Sequence, residues 1–244
     1  MDDGTRLYTK VFLTLIGTWT DTRSFRRIVR VGVGDASRQL LDENSRWFDQ
    51  FTNDPTNDAV FSDKAKFVEM TGGRDGFAER LTIQEVGAFQ GSVDAASLVF
   101  MHSGLDGAAH DLCRVTALVD PKQWQPFLDD QQERIAVIRN RGFDQIVHER
   151  LSAFVEALSR DSLIKKVDKL FQVCRPDRQY SRTGYHFDRE RLIKLDNLRH
   201  DIVHGDRPRG PMADVDDHIE LMHETGLFVF GMINHRYGIK LDPT

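Results

Sequence analysis

Arg199 and His204 stand five residues apart in the stretch LRHDIVHGDRPR, Leu198 to Arg209, which also holds His200, Asp201 and Asp206. A guanidinium grips a phosphate through paired N–H bonds and steadies charge that builds on it. An imidazole gives and takes a proton near neutral pH. One of each at a helix end is the minimum set for cleaving RNA without a metal. The imidazole works as general acid or base on the 2′-hydroxyl or the leaving oxygen, and the guanidinium stabilises the crowded phosphate. Gly205 is a fitting helix stop, so His204 falls in the last turn, where unpaired carbonyls favour a cation. Five residues are about 140° around a helix, so Arg199 and His204 do not share one face.

Spacing alone is weak support. The chain has 24 Arg and 9 His, and it holds two matches to Arg, four to six residues, His. The second, Arg141 to His148, has Gly142 after the arginine and places its histidine inside a helix. Asp196, His200 and His204 recur at i, i+4, i+8. That places them on one helical face and offers a rival reading as zinc ligands, which would need a further ligand from another helix. The preferred expectation is a site with no metal and no other cofactor. Asp106 and His110, at i and i+4, either orient His204 as supporting groups do or sit on the surface. The loop RPDRQYSRTGY mixes Arg175, Arg178 and Arg182 with two tyrosines, and Arg207 and Arg209 follow the motif. Such a set suits phosphate contact and base stacking, and equally an exposed loop. From Arg134 to Arg209 the chain carries 17 Lys+Arg against 11 Asp+Glu, a cationic segment in a chain of net charge −5. That is compatible with a local phosphate-binding surface and with charged helix faces alike. His218, His223 and His235 have no partner that the sequence identifies.

The elements that must position these groups read as helices from about Val93 onward. Leu98, Met101, Leu105, Ala108, Leu112, Val115 and Val119 alternate at spacings of three and four, the seam of a packed helix. Two prolines in DPKQWQP break it. Val147, Leu151, Phe154 and Leu158 mark a second helix. Leu163, Val167, Leu170 and Cys174 mark a third, with Asp161 as its expected N-cap. FDRERLIKLDNLRHDIVHG is a helix capped by Asp188 and closed by Gly205. The last helix lines up Ile219, Met222, Gly226, Val229, Ile233 and Tyr237. The fold class is therefore all-α, an antiparallel bundle of four to five helices over 91–244. Residues 1–90 read as an accessory region. There TKVFLTLIGTWT and SFRRIVRVGVGD are rich in β-branched residues, which suits a β-hairpin, and DASRQLLDENSRWFDQF reads as a helix.

The 244 residues, 40% hydrophobic, are enough to bury a core. Cys113 and Cys174 lie far apart with no CxxC, which argues against a disulfide framework or a cysteine zinc site and suits a reducing cytoplasm. The short, interrupted apolar run after MDDGTRLYTK reads as neither signal peptide nor membrane span. No Walker-type loop and no G-x-S-x-G elbow occur, so ATP hydrolysis and serine esterase chemistry have no support.

A polar His200 follows Arg199, the apolar pair Ile202 and Val203 precedes His204, and Gly205-Asp206 ends the helix, all on the penultimate helix of the expected bundle. RHDIVHG in this setting resembles the signature of the HEPN family, an arginine and a polar residue followed by a histidine near a helix end. LVFMHSGLDGAAHDLCRV looks like the long first helix of these domains. The resemblance runs from about Val93 to Tyr237. It implies a metal-independent endoribonuclease that dimerises so that two motifs form one composite site. It further implies a toxin or antiphage effector, held in check by a partner protein such as an antitoxin, with RNA as substrate. By position, Arg199 and His204 would be the catalytic pair, His200 the supporting polar residue, and Asp201 a motif residue without a fixed role. The alternative implication is a catalytically silent module of the same shape that binds RNA or a protein.

Overall fold

The computed structural model describes residues 3–60, 63–128, 139, 141–176, 180, 187–205 and 210–241. Among them lie eight α-helices with short 3₁₀ turns, and no strand. The helices are α1 Asp3–Asn53, α2 Lys64–Met70, α3 Gly73–Val119, α4 Pro121–Trp124, α5 Phe143–Ala157, α6 Leu163–Cys174, α7 Arg189–His204 and α8 Val215–Tyr237. None of the described helices is long and apolar enough to cross a membrane.

The all-α expectation holds, and the hairpin does not. Both β-branched stretches lie inside α1, a continuous helix of 51 residues. The period overrides the propensity: Tyr8, Val11, Leu15 and Thr22 recur at helical spacing, and all four are buried. The TGGRDG stretch turns at Thr71-Gly72 and then opens α3 at Gly73.

The chain divides into two compact units, one of residues 1–22, 98–206 and 214–244, the other of 23–97 and 207–213. Residues 1–22 thus group with the helices after residue 98 rather than with the rest of the first 90. In the first unit, the α3 seam is buried from Leu98 to Val115, while Val119 is exposed where the helix ends. The α6 positions Leu163, Val167, Leu170 and Cys174 are fully buried. On α5 the inward face is Ile146, Leu151 and Val155, continued by the buried Leu158 of the 3₁₀ turn that follows. That face is rotated slightly from expectation, with Val147 and Phe154 half-buried. Asp161 closes the 3₁₀ turn before α6 rather than capping the helix, and Ser162 takes the N-cap position. Helix α8 is buried almost all round, as a central helix must be. The first turns of α1 lie along it. Tyr8 Oη donates to the Phe230 carbonyl at 2.8 Å, Trp19 stacks on His223 at 4.0 Å, and a Cβ on Gly226 would collide with Leu15 Cδ2.

In the second unit, α1 and α3 run antiparallel. Arg26 Nη1 donates to Asp94 Oδ1 at one end, and Asn44 Nδ2 donates to Thr82 and Glu85 at the other. Trp47, Phe48, Phe51, Phe67 and Phe77 form an aromatic cluster that holds α2 against the pair. The segment 210–213 packs on α3, where Met212 N–H donates to Asp94 Oδ2 at 3.1 Å. A Cβ on Gly91 would strike the Gly210 carbonyl, a backbone atom that cannot swing aside. Gly91→Ala should therefore cost about 1–3 kcal/mol and lower the melting temperature followed by circular dichroism. An unchanged transition would mean that 210–213 does not bear on α3 in solution.

Candidate functional site

Helix α7 is built to hold one end firmly and present the other. Asp188 caps it by accepting from Arg191 N–H at 2.9 Å. Arg189 grips Asp168 of α6 with two hydrogen bonds, Nε to Oδ1 at 3.0 Å and Nη2 to Oδ2 at 2.7 Å. Leu192 and Leu195 are buried. From Asp196 to His204 no residue is buried. Gly205 takes the left-handed conformation at φ 76°, and its N–H bonds back to the Asp201 and Ile202 carbonyls. A side chain with a Cβ would be strained there.

The polar groups at this end belong to three helices. His200 and His204 are exposed, with ring centroids 4.2 Å apart and planes tilted by 49°. Arg199, on the adjoining side, is half-buried, and its Nε is buried with no hydrogen-bond partner among the described residues. Asp196 Oδ1 accepts from His102 Nε2 of α3 at 2.8 Å. One turn along α3, Asp106 Oδ1 accepts from Lys166 Nζ of α6 at 2.7 Å. Lys166 is 1% exposed, so this carboxylate answers a buried cation. The Arg199 and Asp106 charges both bear on the His102 imidazole.

No family model matches the chain, no curated protein matches it, and no solved structure matches it. What the site can do is argued from its own groups. Two adjacent imidazoles supply proton transfer and hydrogen-bond donation to an anion, and Arg199 supplies a guanidinium on the same helix end whose Nε–H is itself withdrawn from solvent.

The sequence-derived residues are placed unevenly. Arg199, His200 and His204 lie together, and Asp201 is exposed beside them. Asp106 is committed to Lys166 rather than to orienting His204. His110 Nε2 donates to the Val155 carbonyl of α5 at 3.0 Å. The zinc reading loses its first ligand because Asp196 turns to His102, and no group of three or more His, Cys, Asp or Glu among the described residues is arranged to hold a metal. Arg175 is exposed just after α6, while Arg178, Arg182, Arg207 and Arg209 lie outside the described residues. Tyr180 does not offer a stacking face: it is buried and donates its hydroxyl to the Phe228 carbonyl. In the second motif, Arg141 pairs with Glu149, and His148 instead lines an open groove of about 200 Å³ with Arg114, Leu151 and Glu156.

Sequence reasoning missed His102 and Lys166. Both adjoin the apolar seams, next to Met101 and Val167. The signal was present: His102, Asp106 and His110 repeat every four residues on α3.

Two expectations test this network. Burial pushes the His102 imidazole below its ordinary 6.5, against the pull of Asp196, and Arg199 adds to the lowering. Below that ordinary value the unfolded chain takes up a proton that the folded protein still refuses. Stability should therefore be full above about pH 7 and fall as the pH drops through 6.5. His102→Gln should flatten that slope in pH-dependent urea unfolding, and an unchanged slope would mean that His102 is not held neutral. Asp106→Ala strands the Lys166 cation and should cost on the order of 3 kcal/mol. Adding Lys166→Met should recover most of it, and a double variant no better than the single would remove the ion pair from the account.

Proposed function

We propose that the chain is a metal-independent endoribonuclease of HEPN type. The observation that carries this reading is the end of α7, where the exposed rings of His200 and His204 lie 4.2 Å apart and Arg199 precedes His200 on the same helix. In the reaction, the ribose 2′-oxygen attacks phosphorus and its proton passes to an imidazole, the role given to His204. The bond from phosphorus to the 5′-oxygen breaks, and that oxygen takes up a proton. The products are a 2′,3′-cyclic phosphate and a 5′-hydroxyl, with no change of oxidation state. Arg199 binds the phosphate and stabilises its added charge.

Residues about 140° apart on one helix do not converge on one phosphate. A homodimer that brings two motifs face to face supplies the missing convergence. A cytoplasmic toxin or antiphage effector, restrained by an antitoxin or regulatory partner, is the setting that goes with this chemistry. The net charge of −5 makes RNA binding weak and strongly salt-dependent.

One observation favours a second reading. Most of Arg199 is withdrawn from solvent, and its charge bears on His102, as befits an arginine that braces the bundle. The alternative is a catalytically silent module that binds RNA or a protein.

The deciding measurement is cleavage of a mixed tRNA and mRNA pool in EDTA by the wild type and by His204→Ala. The nuclease reading expects cleavage by the first and a loss of at least about 10²-fold in the second. Cleavage abolished by EDTA would reject the mechanism. No cleavage by either, with RNA still bound, would favour the silent module.

A further inference from the structure

His200 and His204 stand one turn apart on α7, and that spacing has a use besides proton transfer. Two imidazoles at i and i+4 share one side of a helix and can hold a metal ion between them. Both rings are exposed, with centroids 4.2 Å apart. Bonds of about 2.0–2.1 Å from zinc to nitrogen, at tetrahedral angles, set two donors roughly 3.3 Å apart. Rings at the observed separation reach that distance by turning about χ2, and their exposure leaves the turn open.

The surroundings favour a cation at this place. His204 closes the last turn of α7, where the helix carries its negative end. Asp201, exposed next to His200 in the chain, adds a full negative charge. The opposing charge is Arg199. It lies about 100° round the helix from His200 and about 140° from His204, and most of its side chain is withdrawn from solvent on the packed side of α7.

The number of ligands decides what kind of site this is. Asp196 shares the helical face, but its carboxylate is held by His102 of α3 at 2.8 Å. Among the described residues no third His, Cys, Asp or Glu joins the pair in a group that could hold a metal. A resident structural or catalytic zinc takes three or four protein ligands. Two imidazoles, with water in the remaining positions, make an exchangeable seat. Nitrogen donors select ions of the zinc and nickel kind over magnesium, which prefers oxygen.

We propose that His200 and His204 chelate a divalent first-row cation of the zinc class, and that the bound ion switches the site off. A neutral imidazole has one free lone pair. Ligation takes it up, and His204 needs it to accept the proton of the 2′-hydroxyl. The switch rests on the nuclease reading of this site, whereas the chelate does not. The ion is then an inhibitor and not a cofactor, and the metal-free chain is the active form.

The test is calorimetric titration of the full chain, dialysed free of metal and chelator, with zinc chloride and with magnesium chloride. Zinc is expected to bind at no more than one ion per chain with a Kd of roughly 1–100 μM, far weaker than a four-ligand site. Magnesium should not bind. His200→Ala and His204→Ala should each weaken zinc at least about tenfold, and His148→Ala, at an exposed histidine on α5, should not. All three side chains are exposed, so the variants keep the fold, which helical circular dichroism verifies. RNA cleavage is then compared with and without saturating zinc. The wild-type rate should fall at least about tenfold, and the same zinc concentration should leave the His200→Ala rate nearly as it was. A wild type that binds no zinc, or a His200→Ala protein that binds it as tightly as the wild type, would overturn the chelate. An undiminished wild-type rate with zinc bound would overturn the switch and leave the nuclease reading standing. Absence of cleavage in EDTA would overturn that reading and the switch with it, while the calorimetry still decides the chelate.

Discussion

The buried ammonium of Lys166 is the constraint around which the first unit is organised. An unanswered charge in a protein interior costs several kcal/mol, and among the described residues Asp106 answers it, at 2.7 Å. That requirement fixes α6 against α3 at one register. One turn before Asp106, His102 meets Asp196 of α7, and one turn after it, His110 meets the Val155 carbonyl of α5. Three residues on successive turns of α3 therefore each hold a different helix. Apolar seams tolerate sliding and rotation at modest cost, whereas hydrogen bonds between buried groups do not. A buried ion pair adds little net stability over a well-packed apolar pair, and here its role is to select one arrangement of helices.

That arrangement explains why the end of α7 is a place for chemistry. The helix is fixed in its first half by the Asp188 cap, the paired bonds of Arg189 and the burial of Leu192 and Leu195. Its second half is held by Asp196 alone among its side chains with a described partner, and nothing there is buried. Anchoring one end orients the other while leaving its imidazoles open to a ligand. The Gly205 stop then exposes the last carbonyls beside His204.

The second unit follows a different economy. Two antiparallel helices have little shared interior, and most of what they bury lies near the aromatic cluster and the Arg26–Asp94–Met212 network. Between these ends, α1 keeps its helical form with valines and glycines that local preference would not choose. Continuity with the well-packed stretches on both sides supports it, since extending a helix is far easier than starting one.

The sequence by itself determined the helical class, the seam of α3, the inward face of α6 and both ends of α7. Each rests on a local rule: the 3.6-residue period, a capping carboxylate, or a glycine at positive φ. It also brought Arg199, His200 and His204 to one helix end, because spacing along a helix sets their neighbours. It misjudged α1, where β-branched composition pointed to strands, while the burial period in its first 26 residues and again from Asn44 onward, with continuity between them, decided for one helix of 51 residues. Only the tertiary structure decided the partners of the polar groups. Asp196 could have been a metal ligand and Asp106 a support for His204 as far as spacing goes. Which carboxylate meets His102 and which meets Lys166 depends on how helices 60 to 94 residues apart in the chain come together, and no local pattern encodes that distance.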